Sequence, residues 1–194
     1  YLFKKHHIMF DVKKVTGLFV FLLFGFVNLA AQVQYKIELL PDNVTYQVSL
    51  IPSIDWSGAE AITSTAQITL VVPTGGFEIT HLKSLNGHWE NNANIKTPIE
   101  NPTYDYMSIG LVALGTTDIT YEAGVETVLF TFVNQGNCTG NITLMETEDP
   151  FFAPNSVNVN VGNQLTTFGS GNVNAWIGNV SNNVDCGNTV ISNR

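Results

Sequence analysis

Three sets of side chains in this 194-residue chain are of types that do chemistry. The first is acidic. Glu146, Glu148 and Asp149 fall close together, and Glu122 and Glu126 flank a turn into an apolar run. Two carboxyls set ~5 or ~6.5–9.5 Å apart across a sugar cleft can hydrolyse a glycosidic bond. Glu146 and Glu148, two apart on a strand, would point the same way at roughly 7 Å. An ordinary solvated face has the same spacing. The loop Glu146 to Asp149, closed by Pro150, also suits Ca²⁺, which takes about six to eight oxygens from such loops. Glu146, Glu148 and Asp149 are thus the calcium candidates, beside the plainer reading of surface charge. No other cofactor is expected.

The second set is His81 and His88, the histidines past residue 31. A zinc site needs three or four ligands, and no Cys or HExxH frame stands near them. Gly169-Ser170-Gly171 lacks the frame of a serine hydrolase. Gly75-Gly76 has no helix after it to cradle phosphate. Catalysis is not expected.

The third set is aromatic. Trp56, Trp89, Trp176, Tyr104 and Tyr106 lie at strand ends or in turn-rich stretches. Trp89 sits among Asn86, Gly87, His88, Glu90, Asn91, Asn92 and Asn94. A ring beside amide side chains can hold a sugar, by stacking on its face and hydrogen-bonding at its edge. Trp89, Tyr104 and Tyr106 are therefore the candidate ligand-binding residues. The competing reading is that these rings fill a core.

The elements that must position such side chains read as strands. Ala66, Ile68, Leu70 and Val72 alternate with Thr65, Gln67 and Thr69; Tyr46, Val48 and Leu50 repeat the pattern, as do Val128, Phe130 and Phe132. Period two marks a strand with one buried face. Residues 35–40, 77–82, 106–114, 141–146, 157–161 and 174–177 are further candidates, rich in Thr, Val, Ile and Phe. Turn residues separate the runs, for example Pro73-Thr-Gly-Gly76, Asn86-Gly87 and Phe168-Gly-Ser-Gly171. One short helical turn is expected around Trp56–Ala61, with Asp55 or Ser57 as its cap. About nine short strands at this spacing predict an all-β chain, an antiparallel β-sandwich of jelly-roll or immunoglobulin-like type.

Residues 1–31 read as upstream sequence and a signal peptide. Lys13 and Lys14 precede an uncharged apolar run from Gly17 to Val27, and Asn28 to Ala31 offers small residues for cleavage before Gln32. A permanent anchor is the rival reading, since Val15 to Ala31 is near the lower limit for spanning ~30 Å of hydrocarbon. The first Met is Met9, where translation is expected to start. Residues 32–178 form the expected domain. Residues 179–194 read as a linker, or as a final strand tied down by Cys186, and the parent protein is expected to continue past Arg194. Cys138 and Cys186 both follow the leader, so an oxidising compartment and a disulfide between them are expected, with two free thiols as the alternative.

Charge excludes other partners. Eight Lys and Arg stand against 16 Asp and Glu, a net charge of −8. Removing the leader takes four of those cations and one acid and leaves −11. A phosphate-neutralising surface needs clustered cations, so nucleic acid is not a partner. An acidic surface does not favour anionic lipid either, and no membrane insertion is expected after leader cleavage. The four N-x-S/T matches, at Asn43, Asn137, Asn141 and Asn179, are common by chance in a chain rich in Asn and Thr.

The segment Ala66–Glu148 resembles cohesin-like members of the bacterial β-sandwich modules that also include carbohydrate-binding modules. The resemblance lies in Ala66 to Pro73, in Tyr106 to Val112, and in Glu122-Ala-Gly-Val to Val133, a Gly-containing turn leading into a late alternating strand. The Ala31-Gln32 junction, the Asn and Thr content and the few lysines resemble secreted surface proteins of Bacteroidetes-type bacteria. The segment 66–148 includes no dockerin-like Ca²⁺ repeat, and the dockerin-binding role is not carried over. The resemblance implies a secreted, non-catalytic binding or adhesion module of the cell surface. Its partner would be a polysaccharide or another surface protein. The alternative is a carbohydrate-binding accessory module of a secreted polysaccharide-degrading enzyme.

Overall fold

The computed structural model describes residues 33–112, 114–171, 173–181 and 183–186. The expected leader lies outside them. Eleven strands and no helix form the described residues. They are β1 (Val33–Leu39), β2 (Thr45–Pro52), β3 (Thr63–Pro73), β4 (Ile79–Ser84), β5 (Trp89–Ile95), β6 (Tyr104–Leu111), β7 (Thr127–Asn134), β8 (Asn141–Leu144), β9 (Gln164–Thr167), β10 (Trp176–Ser181) and β11 (Val184–Asp185).

Two sheets face each other, as the alternation requires. One has the order β10-β1-β2-β7-β4, the other β11-β8-β3-β6-β5, with β9 paired to β3. All pairings are antiparallel except β1 with β10. The expected antiparallel β-sandwich is therefore the fold. The inward residues are the apolar set of the alternating runs. Tyr35, Ile37, Val48, Leu50, Ile68, Leu70, Met107, Ile109, Phe130 and Phe132 are all buried in one cluster between the sheets.

The β3 face turned away from that cluster is buried as well. Val71 pairs across to Tyr106, and Tyr106 pairs to Ile95 on the next strand. These side chains meet Met145, Phe151, Phe152, Val159 and Val161 in a second, smaller core. The segment 145–163, running from β8 to β9, lies over the outer face of the second sheet. Asn155 fastens it by donating to the carbonyls of Phe151 (3.2 Å) and Val159 (2.9 Å). Gly162 donates its N–H to Thr69 Oγ1 at 3.1 Å. Residues 157–161, expected as a strand, are part of this cover. Their apolar alternation serves a packed loop, and no ladder forms.

Two other local expectations change. Residues 57–61 form a hydrogen-bonded turn, Glu60 N–H to Ser57 O at 3.1 Å, and not a helix. Asp55 Oδ1 accepts the N–H of Ala123 at 2.6 Å, so it ties two loops and caps nothing. Past residue 178, β10 runs to Ser181 and β11 pairs with β8. Cys138 and Cys186 form a disulfide with their Cα atoms 5.7 Å apart, which fastens this last strand.

Candidate binding surface

Trp89 opens β5 and is 3% exposed. It packs on Phe130 with centroids 5.2 Å apart. Its Nε1 donates to Asn86 O at 2.7 Å, and its backbone N–H donates to Ser84 Oγ at 2.9 Å. Gly87, at φ +80°, folds the turn over the indole; a Cβ there would lie 3.1 Å from Trp89 Nε1 and 2.8 Å from Leu111. The polar residues around Trp89 in sequence are a turn closing over a core ring. They do not edge a sugar site. Trp56 and Trp176 are buried too.

Tyr106 is fully buried in the second core, 4.6 Å from the Phe151 ring. Its hydroxyl donates to Asp149 Oδ1 at 2.7 Å and accepts from Asn101 Nδ2 at 2.8 Å. Burial, then the bond to Asp149, pushes the phenol well above its ordinary range. Tyr104 is two residues earlier on the same face, but it lies at the rim beyond the cover and is 36% exposed. The structure therefore withdraws Trp89 and Tyr106 from the surface and leaves Tyr104 alone.

The carboxylates do not converge either. Asp149 Oδ1 is taken by Tyr106 and by the N–H of Phe151 at 2.8 Å. Glu146 Oε1 accepts from Asn179 Nδ2 at 2.9 Å, while Glu148 is exposed. Among the described residues no three His, Cys, Asp or Glu side chains are placed to hold a metal ion. Glu146 and Asp149 therefore act as fasteners of the cover, and Glu148 is exposed beside them.

Glu126 belongs to the polar outer face of the first sheet. It accepts from Lys36 Nζ at 2.8 Å and Ser49 Oγ at 2.6 Å. Burial works to raise its carboxyl, but the bonds from Lys36 and Ser49 and the lysine's charge outweigh it, and the group lies below the usual carboxylate range. Lys36 is raised, first by its bond to Glu126 and then by that to Glu38. His88 pairs with Glu90 at 3.3 Å on an exposed edge.

Exposed apolar side chains occur at several places, Ile99 at 80% among them, and one group stands at the end where β2 leads to β3, β4 to β5, β6 to β7 and β9 to β10. Leu114 is 85% exposed and Phe168 52% exposed. Half-buried Ile62 lies between their loops. Phe168 N–H donates to Ile62 O at 3.0 Å, and a Cβ on Gly115 would lie 4.0 Å from Ile62 Cγ2. Thr63 N–H donates to Thr116 O at 2.8 Å, and Gly169 N–H to Glu60 O at 2.9 Å. Beneath them Trp56 meets Tyr121 edge-on at 5.1 Å, and Tyr121 Oη is 2.7 Å from Thr63 Oγ1. Gly169 has no side chain because its Cβ would enter the Trp56 ring, 2.5 Å from Nε1. The exposed residues thus stand beside a buried, hydrogen-bonded floor. Sequence reading missed this patch, although an aromatic inside Phe168-Gly-Ser-Gly171 was the available signal.

No family model matches the chain, and no curated protein matches it. Solved structures are similar to it at low identity. The sixth cohesin of Acetivibrio cellulolyticus scaffoldin B, solved with a Cel5 dockerin mutant, is 12% identical, with 80% of this chain and 99% of that chain covered and a TM-score of 0.41. A type I cohesin, OlpA, of Clostridium thermocellum, solved with a dockerin, is 10% identical over 79% of this chain and 98% of that one, with a TM-score of 0.42. The seventh ScaB type I cohesin of Pseudobacteroides cellulosolvens is 12% identical over 79% and 91%, with a TM-score of 0.40. At these TM-scores the likeness carries no argument about partner or site.

Proposed function

We propose that this chain is a non-catalytic, extracellular, cohesin-like binding and adhesion module that docks another protein through the loop end bearing Leu114 and Phe168. The observation that carries the reading is the exposure of those two apolar side chains over the buried Trp56–Tyr121 pair. Apolar residues held out by a fixed backbone lose little further freedom on binding, which favours association. The outer face of the second sheet carries the cover of residues 145–163, and on that of the first Lys36 and Ser49 are bonded to Glu126. The cystine supports an oxidising location, in line with the leader expected at residues 1–31.

Protein docking stands ahead of the polysaccharide alternative because the stacking platform of Trp89, Tyr104 and Tyr106 does not assemble. It stands ahead of catalysis because Glu146 and Asp149 accept structural bonds in the cover and Glu126 accepts from Lys36 and Ser49.

A photo-crosslinking residue placed at Leu114, at Phe168 and, as control, at Tyr104 tests this on the surface of the producing cells. Discrete protein adducts from the first two positions are expected. Adducts from Tyr104 alone, or none at Leu114 and Phe168 with the fold intact by circular dichroism, would overturn the assignment.

A further inference from the structure

The loops at this end carry an unbalanced charge. Residues 53–62, 112–126 and 168–175 hold Asp55, Glu60, Asp118, Glu122 and Glu126 and no Lys or Arg. Ion pairs among the described residues join Lys36 to Glu38 and Glu126, Lys96 to Asp105, and His88 to Glu90. Glu60, Asp118 and Glu122 enter none of them. Several acids elsewhere hold structure. At the opposite end Asp42 accepts from Thr45 Oγ1 at 2.6 Å, Glu100 Oε2 accepts from Ser156 Oγ at 3.0 Å, and buried Asp105 accepts from Lys96 Nζ at 3.0 Å. Glu60 and Asp118 are exposed and fasten no loop with their carboxylates.

The backbone sets these two beside the apolar row. Glu60 is two residues from Ile62, and its carbonyl accepts from Gly169, the neighbour of Phe168. Asp118 follows Thr116, whose carbonyl accepts from Thr63, the neighbour of Ile62. An apolar patch with an uncompensated acidic rim repels anionic surfaces. Two such ends cannot face each other without opposing like charges, so a second copy of this chain is disfavoured. A cationic partner gains on both counts.

We propose, building on the docking reading above, that the occupant of this end is a basic protein segment whose apolar residue is flanked by Lys or Arg. Leu114, Ile62 and Phe168 receive the apolar residue, and Glu60 and Asp118 face the cations.

The test uses three fluorescein-labelled 12-residue peptides. One has leucines flanked by lysines, one has glutamates for the lysines, and one has serines for the leucines. Anisotropy is read with the whole purified chain at low and at high salt. The lysine–leucine peptide is expected to bind and to weaken about tenfold as the Debye length shrinks from ~30 to ~8 Å. Glu60→Gln with Asp118→Asn should weaken it by about tenfold as well, and Leu114→Ser with Phe168→Ser should abolish it. Glu78→Gln with Glu148→Gln, away from this end, should leave it unchanged. Equal binding of the glutamate–leucine peptide would overturn the charge inference and leave the docking reading standing. Binding of the lysine–leucine peptide that ignores Leu114→Ser with Phe168→Ser would overturn both. Sedimentation showing a dimer that Leu114→Ser dissolves would replace the basic segment with a second copy.

Discussion

Asn163 Nδ2 lies 3.4 Å from Asn179 Oδ1, and this pair closes the sandwich along one edge. Asn163 Oδ1 accepts the N–H of Thr69 on β3 at 2.8 Å, and its Nδ2 donates to Met145 O at 2.8 Å. Asn179, on β10 of the other sheet, donates to Met145 O at 3.3 Å and accepts from Trp176 Nε1 at 3.3 Å. Two amides thus satisfy backbone groups left over where the sheets meet. Each amide offers both donor and acceptor, which is why Asn serves here and a carboxylate would not.

Asn163→Asp tests that account. It keeps the acceptor for Thr69 but turns an acceptor toward Met145 O. At neutral pH the loss of stability should be about 1–3 kcal/mol, at least as large as for Asn163→Ala, because the Met145 carbonyl loses the nearer of its two amide donors and meets a charge. Urea unfolding of both variants measures it. A smaller cost for Asn163→Asp than for Asn163→Ala would refute the donor role.

Trp89→Ala should cost about 3–5 kcal/mol, the range for emptying a large aromatic site in a core. Tyr104→Ala, at the rim, should stay within about 0.5–1 kcal/mol. Urea midpoints at constant slope check both, and crosslinking through Leu114 should survive Tyr104→Ala. A near-neutral Trp89→Ala would mean that the ring does not fill the core.

Alternation made the inner core legible. Ile68, Leu70 and Val72 flag β3 directly, because one face of that strand meets only apolar neighbours. It could not show β5. Trp89-Glu-Asn-Asn-Ala-Asn-Ile95 is an edge strand whose middle is exposed, so nothing forces a period of two. Nor could it show that the other face of β3 is covered, since Thr69 and Val71 become buried only when residues of the distant 145–163 segment fold over them. The site misled for a similar reason. Asn neighbours in sequence suggest that Trp89 is wet, but Asn86 and Gly87 turn over the ring, and turn geometry is not written in residue polarity.

Alkaline unfolding follows from the buried phenols. Burial raises Tyr35, Tyr46, Tyr106 and Tyr121 above the ordinary tyrosine range. A folded pKa above the unfolded one contributes stability that is complete below about pH 10 and is lost as pH rises beyond it. Tyrosinate absorbance from these four should therefore grow together with the loss of circular-dichroism signal above that pH. Their ionisation in a chain that stays folded would contradict their burial.

The cystine makes the last prediction. Cys138 and Cys186 are 48 residues apart. Their link holds β11, whose Val184 packs in the main core and whose neighbour Cys186 donates its N–H to Gly140 O at 2.8 Å. Tyr46 Oη also donates to Cys186 O at 3.2 Å, so Cys186 is pinned from both sheets. β11 makes only a two-residue ladder, too short to hold itself. Reduction, or Cys138→Ala with Cys186→Ala, should cost roughly 4 kcal/mol by the chain-entropy account. Hydrogen exchange should then show Val184 and Ile142 opening before β3 and β6. Uniform loss of protection across both sheets, with β11 no faster than the centre, would place the staple's effect on the whole fold instead of on this edge.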